Sequence, residues 1–359
     1  MKKPRERSTE KKRLDIRDVA RHAGVSIATV SRTINAVPTV DKELAARVQR
    51  AIQELNYYPN TQARSLVSGR SRLLGLLVSE ITNPFFPELI RGFEDVLVEH
   101  NYELLMGSTN YDTRRMELCV RRMVERNVEG VAVMTFGLEA PLLGQLIERK
   151  IPMVFVDAQI KSRLAQGLLV NYAAGIKQAV SHLHALGHRD IAFITGPLNQ
   201  RTCQLRLAAY EEAMKDCGLK VRKPNILSGD HTLIGGVQAA EKLLALKDRP
   251  TAVLCSNDMT ALGVLRQLGA SGVRVPQEMS VIGFDDIQLA DYVQPPLTSV
   301  RMSRNDLARG AFAALSAMIQ EPEATTRKAI HIPTWLVVRK STGPVELSKR
   351  PVKRAATSS

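Results

Sequence analysis

The chain has 359 residues, 44% of them hydrophobic, and a formal net charge of +14 at pH 7. That length suits two or three packed domains, and no run approaches the roughly 18 to 20 apolar residues of a membrane span. The charged start MKKPRERSTEKKRLD leads into no apolar stretch, so neither an exported nor a membrane-embedded protein is expected, but a cytoplasmic one.

The charge is unevenly placed. Residues 1–72 hold 16 Lys/Arg against 7 Asp/Glu, residues 339–359 hold 6 against 1, and residues 73–338 carry 28 of each sign. A neutral body thus has a basic head, which fits either a polyanion partner or a solvated arm, and a short basic tail. Cys119, Cys203, Cys217 and Cys255 show no metal-ligand spacing and read as free thiols of a reducing compartment.

After a basic arm (1–14), the segment Asp15-Ile-Arg-Asp-Val-Ala-Arg-His-Ala-Gly24-Val-Ser-Ile-Ala-Thr-Val-Ser-Arg-Thr-Ile-Asn35 decides between these partners. Asp15 can cap a helix whose buried stripe is Ile16, Val19, Ala20 and Ala23, and Gly24 stops it where a positive φ is cheap. Ser26 caps a second helix two residues later, with Val30 and Ile34 inward. Two helices joined so tightly form a helix-turn-helix. The outward set Ser26, Ile27, Ala28, Thr29, Ser31, Arg32 and Asn35 would enter the major groove, while Arg17 and Arg21 meet phosphates. Asp41 is the expected cap of a third helix with the stripe Leu44, Val48, Ile52 and Leu55, which closes a head over 15–59.

Asn60-Thr-Gln-Ala-Arg-Ser-Leu-Val-Ser-Gly-Arg-Ser71 follows, helix-competent but poor in apolar surface. With DVARHAGVSIATVSRTIN, ELNYYPN and ARSL in this order, the chain resembles the LacI/GalR family of bacterial repressors from about Asp15 to Arg339. The resemblance implies a hinge over 60–72 in which Asn60, Ala63, Arg64 and Leu66 meet DNA, with Leu66 wedging into the minor groove. It also implies a homodimer on a pseudo-palindromic operator, nucleoid-associated when bound, and an effector-controlled repressor rather than an enzyme.

From Leu73 the chain alternates strand-like runs with helical stretches. Strands are expected at Leu73–Val78, Glu103–Gly107, Val131–Thr135, Met153–Asp157, Asp190–Thr195, Thr251–Cys255 and Ser280–Phe284, and helices at Pro87–His100, Ala174–Leu186 and Leu205–Cys217. The alternation gives the fold class α/β, a three-helix head plus doubly wound parallel sheets, and the resemblance implies a periplasmic-binding-protein-like core (73–342) of two such subdomains. The family pattern places the subdomains at about 73–172 with 302–331 and 173–300 with 332–342, crossing near Tyr172, Val300 and Ile332. Residues 343–359 are expected to be a disordered basic tail. No dinucleotide fingerprint, phosphate loop or nucleophile elbow is present, and no cofactor or metal is expected. His184 and His188 have i,i+4 spacing without a third ligand beside them, and Gly187-His188-Arg189 matches a structural turn of the family.

Doubly wound sheets bind ligands at the carboxyl ends of their strands. There the resemblance implies that Phe85 and Phe86 floor an effector site, although core packing is the other reading. It implies that Thr202 and Arg206 bond the ligand, unless Arg206 pairs with a neighbouring acid. Asn257 and Asp285 are the expected polar contacts, Asp157 a weaker one, with Asp258 and Asp286 as caps or network residues. Arg206 donating and Asp285 accepting suit a sugar or sugar derivative, with a purine-like base as the alternative. Asn171-Tyr172 and Met302 depart from the family pattern, which carries an Asp-Asn or Asp-Asp pair and a Gln there.

Overall fold

The computed structural model describes residues 14–35, 37–58, 69–135, 140–157, 162–324 and 328–345, and the chain divides into two compact units, Met1–Ser71 and Arg72–Ser359. The expected arm up to residue 13, the hinge positions Asn60, Ala63, Arg64 and Leu66, and the tail beyond residue 345 lie outside the described residues.

The first unit contains α1 (Ile16–Ala23), α2 (Ile27–Ile34) and α3 (Lys42–Glu54). The carboxylate of Asp15 accepts the Arg17 and Asp18 backbone N–H groups, and Asp18 accepts the Asp15 N–H in return. This reciprocal box satisfies donors that the first turn leaves open. Gly24 ends α1 at φ 60°, ψ 42°. Val19, Ala20, Ala23, Val30, Val48 and Ala51 form the core. Leu44, expected on the stripe of α3, is only half-buried and stands outside that cluster, and Ala51 is buried in the core instead. A small residue allows the close approach of α3 to α1.

The second unit holds two six-stranded sheets. The first has the order β11-β5-β4-β3-β1-β2, from β1 (Leu73–Val78), β2 (Glu103–Ser108), β3 (Gly130–Met134), β4 (Met153–Val156), β5 (Ala165–Val170) and β11 (Ile330–Ile332), every pair parallel. The second has the order β12-β10-β9-β8-β6-β7, from β6 (Ile191–Ile194), β7 (Ile226–Leu227), β8 (Ala252–Cys255), β9 (Ser280–Asp285), β10 (Thr298–Met302) and β12 (Thr334–Val337). Only its β10–β12 pair is antiparallel. Strands such as Leu73–Val78 are continuous apolar runs because helices cover both faces of a parallel sheet.

The chain passes between the sheets after β5, after β10 and between β11 and β12. The second passage falls at Ser303, beyond the Val300 expected from sequence, because β10 continues to Met302. The helices are α4 (Phe85–Glu99), α5 (Thr113–Glu125), α6 (Ala140–Glu148), α7 (Tyr172–Ala185), α8 (Arg201–Asp216), α9 (Leu233–Leu244), α10 (Asp258–Ala270) and α11 (Arg304–Gln320). Gly343 and Val345, assigned to the tail by sequence, are bound to the second sheet's subdomain. Gly343 N donates to Ser280 Oγ at 3.1 Å and Val345 N to Leu186 O at 3.0 Å.

His188 explains this anchoring. Its Nδ1 meets Thr251 Oγ1 at 2.8 Å, and its Nε2 lies 3.0 Å from Ser280 Oγ and 3.1 Å from Gly343 O. The GHR turn thus ties strand ends to the C-terminal segment. Among the described residues no group of three or more His, Cys, Asp or Glu could hold a metal, and no helix is long and apolar enough to cross a membrane.

Candidate functional site

In each sheet the strand order reverses between the first strand and the third, at β1/β3 and at β6/β8. Helices from the two strands leave on opposite faces there, which opens a crevice at the carboxyl ends. The two crevices share one cleft, which opens to solvent and encloses about 690 Å³ including that open space.

The first subdomain supplies an apolar floor. Phe85, Phe86 and Leu89 come from the start of α4, Met134 and Val156 from strand ends, and Met302 and Leu307 from the passage into α11. Phe85 and Phe86 meet edge to face, with centroids 5.4 Å apart. Asn83 sets the helix start by accepting Phe85 N at 3.0 Å. Ser79 and Thr109 both bond the Thr135 hydroxyl, joining the ends of β1, β2 and β3.

The second subdomain supplies the charge. Arg206 on α8 is buried, donates to the Ser256 carbonyl, and lies with its guanidinium carbon 4.1 Å from the centre of the Phe284 ring and 5.2 Å from that of Tyr172. Its Nε is buried without a partner. Asp285, at the end of β9, has φ 109°, a conformation L-residues rarely adopt, and its Oδ1 lies 3.7 Å from Arg206 Nη2. Burial pushes its carboxyl up to about 6, against the opposing pull of Arg206 and Arg304. His231 joins the wall at φ 67° with its Nε2 2.8 Å from Ser256 Oγ, and burial drives its imidazole down to about 3, keeping it neutral.

Phe85, Phe86, Thr202, Arg206, Asn257 and Asp285 all line this cleft. Asn257 does so with both polar atoms committed: Oδ1 caps α10 through Thr260 N at 2.9 Å, and Nδ2 donates to His231 O at 3.0 Å. It builds the wall, with one N–H of Nδ2 and one lone pair of Oδ1 left over. Asp157 is not a lining residue. Its carboxylate accepts Val170 N at 2.9 Å and the Tyr172 hydroxyl at 2.6 Å, closing the β4 end onto the start of α7.

Asp258 accepts from Ser299 Oγ and Ile287 N, and Asp286 binds Arg301 and Arg339, so both hold the β9–β10 region together. Sequence reasoning missed Tyr111 and His231. Tyr111 follows β2 and was reachable by the strand-end rule. His231 follows a two-residue strand, Ile226–Leu227, too short to register as a pattern.

On the head, Arg17, Arg21, Ser26, Ile27, Ala28, Arg32 and Asn35 are exposed, while Thr29 and Ser31 are half-buried. Ser26 Oγ accepts Thr29 N at 3.1 Å and contacts the Thr29 hydroxyl at 2.9 Å, so this pair sets the start of α2. Arg47, which sequence reasoning also missed, donates from α3 to the carbonyls of Ala23 and Gly24 at 2.6 and 3.1 Å. It thereby braces the turn that aims α2.

Residues 15–60 match the description "Bacterial regulatory proteins, lacI family", and residues 180–342 match "Periplasmic binding protein-like domain". The chain is 35% identical over 327 residues to the HTH-type transcriptional repressor PurR of Photobacterium profundum, covering 91% of this chain and 98% of that one. It belongs to the lacI family. As a lacI-family member it is a DNA-binding transcriptional regulator, with the helix-turn-helix in its first unit. The structure of the lac repressor dimer bound to operator and the anti-inducer ONPF is similar at TM-score 0.80 and 26% identity, covering 92% of this chain and all of that one. A second lacI-like structure, the regulator CelR in complex with cellobiose, is similar at TM-score 0.69 and 30% identity, with the same coverage.

Proposed function

We propose that this protein is a homodimeric repressor of a pseudo-palindromic operator, controlled by a small molecule in the cleft. We infer further that this molecule is a flat heteroaromatic ring with one polar edge, of the purine-like kind, rather than the sugar that the sequence favours. One observation carries the choice: several polar groups of the cleft are already bonded within the protein. Tyr172 gives its hydroxyl to Asp157, Asn257 uses both side-chain atoms, His231 Nε2 meets Ser256, and Thr135 meets Ser79 and Thr109.

The charged edge is an acceptor, the Asp285 carboxylate, 3.7 Å from a donor, Arg206, above a floor of Phe85, Phe86, Leu89 and Met302, with Asn83, Tyr111 and Thr202 as further polar lining residues. A ring bearing an adjacent N–H and C=O matches that edge. A sugar with a hydroxyl on every carbon would leave several of them buried and unpaired, each at a cost of about 1–3 kcal/mol.

A sugar stays the second reading because the same Arg206–Asp285 edge can hold two neighbouring hydroxyls, and because the similar regulator CelR was solved with cellobiose. Calorimetry of the full chain with adenine, hypoxanthine, ribose and cellobiose separates the two. Binding of a base, lost in Asp285→Asn, supports the first reading, and binding of a sugar with no base bound favours the second. The similarity to an operator-bound dimer supports the assembly, which sedimentation alone and with operator DNA tests.

A further inference from the structure

Glu88 and Arg304 lie beside the cleft without lining it, and together they join its two sides. Glu88 stands in the first turn of α4, on the first subdomain. One of its oxygens accepts the backbone N–H of Gln288, in the β9–β10 connection of the second subdomain, at 2.9 Å. The other is 2.9 Å from Arg304 Nε. Arg304 opens α11 at the passage between the sheets, and its two remaining nitrogens donate to the carbonyls of Asp285 at 2.7 Å and Asp286 at 2.9 Å. Those two aspartates have φ of 109° and 54°.

Each nitrogen of the guanidinium is therefore used, as are both carboxylate oxygens of Glu88. A planar fork can hold two successive carbonyls and a carboxylate at once, which a lysine ammonium on its flexible stem cannot reproduce. Residues held at positive φ without glycine persist only when their surroundings fix them. Here the fixing comes from the opposite side of the cleft.

We propose that Glu88 and Arg304 form a latch between the subdomains that holds the Asp285–Asp286 backbone in its strained form and so aims the Asp285 carboxylate into the cleft. Both are positioning residues for the effector site. This rests on the reading of the cleft as that site. Whatever changes the backbone at Asp285 is then felt at α4 and α11, and separation of the two subdomains is felt at Asp285.

Hydrogen exchange of the full chain, without any added ligand, tests the latch. Arg304→Met and Glu88→Ala are expected to speed exchange at least tenfold in residues 286–292 and also in the first turn of α4, while β6 and β8 keep wild-type rates. Glu88→Gln, which keeps one acceptor oxygen for Gln288 N but turns an N–H₂ group toward Arg304 Nε, should lose less protection than Glu88→Ala. The double variant Glu88→Ala/Arg304→Met should exchange no faster than the worse single one, because the two act as a unit. Loss of protection on the β9–β10 side alone would reduce the cluster to a local turn and overturn the proposal, as would additive effects or wild-type rates throughout. Glu88 is half-buried, so its variants keep the test available if Arg304→Met fails to fold. Since no effector is used, failure of the latch leaves the ligand assignment standing, and failure to find a ligand leaves the exchange result standing.

Discussion

Arg206 and Asp285 face each other across 3.7 Å with side chains only 8% and 7% exposed, and the guanidinium lies 4.1 Å over the centre of the Phe284 ring. The two residues are unequal in what their removal leaves behind. Without Arg206, a buried carboxylate and the Ser256 carbonyl lose their donor and Phe284 loses its stacked cation. Arg206→Met is therefore expected to lower stability by about 3–5 kcal/mol, measured by urea unfolding at pH 7. A loss below about 1 kcal/mol, the scale of an exposed pair, would show that the pair is not sealed from water.

Asp285→Asn should act oppositely, and only in one pH range. The folded protein holds the Asp285 proton up to about pH 6, whereas an unfolded carboxyl releases it near 3.8. Between those values the unfolded state binds fewer protons, so Asp285 makes stability fall as pH rises, by on the order of 3 kcal/mol in all. Wild type and Asp285→Asn should match near pH 4 and diverge until pH 6, above which the variant is the more stable. A difference independent of pH would contradict the burial of this carboxyl. This variant is also the cleaner probe of ligand binding, since it keeps the fold intact.

His231 titrates in the reverse sense. Its folded imidazole resists protonation down to about pH 3, against 6.5 unfolded. Its stability contribution is present above pH 6.5 and is lost as pH falls towards 3. Replacing it with Gln, which does not titrate, should flatten the acid side of the stability profile, read from melting temperatures at pH 4, 5 and 7. A profile parallel to wild type would place His231 in solvent.

In the head, Gly24→Ala puts a Cβ 2.7 Å from Arg47 Nη2 at φ +60°. The left-handed backbone alone costs an L-residue about 1–2 kcal/mol, and the displaced guanidinium releases the carbonyls of Ala23 and Gly24. The expected outcome is a lower melting point of the head and weaker operator binding, with the cleft's ligand affinity unchanged. Equal DNA affinity in wild type and variant would mean that the turn tolerates a side chain.

DNA binding itself should be steeply salt-dependent. Arg17, Arg21 and Arg32 are exposed on each head, and a dimer that neutralises roughly 6–10 phosphates loses about 10³–10⁵ in affinity between 50 and 200 mM salt. Leu66→Ala, in the proposed hinge, should weaken operator binding far more than binding to random DNA, because a wedge acts only where the duplex can be kinked. Gel shifts on both DNAs decide this, and equal losses would make residues 60–72 a mere linker.

The head could be read from the sequence because its signals are local. Asp15, Gly24, Ser26 and Asp41 each act on backbone groups within a few residues, so capping chemistry and helical spacing place all three helices. Most central strands were equally plain, since a buried parallel strand such as Leu73–Val78 must be apolar throughout, but the internal strands β5 and β10 were not expected. Of the edge strands only β2 was read: β7 has two residues and β11 and β12 three and four, and such segments are strands only because a neighbour pairs with them. The same limit governs the site. Position at a strand end marks Phe85 and Asp285 from the sequence and the family resemblance marks Arg206, but whether a polar side chain is free or spent depends on partners far along the chain. Asn257 is bound to a histidine 26 residues before it, and Glu88 to an amide 200 residues away. Hydrogen bonds of that separation leave no periodicity in the sequence, and only the folded structure could show which polar groups of the cleft they use.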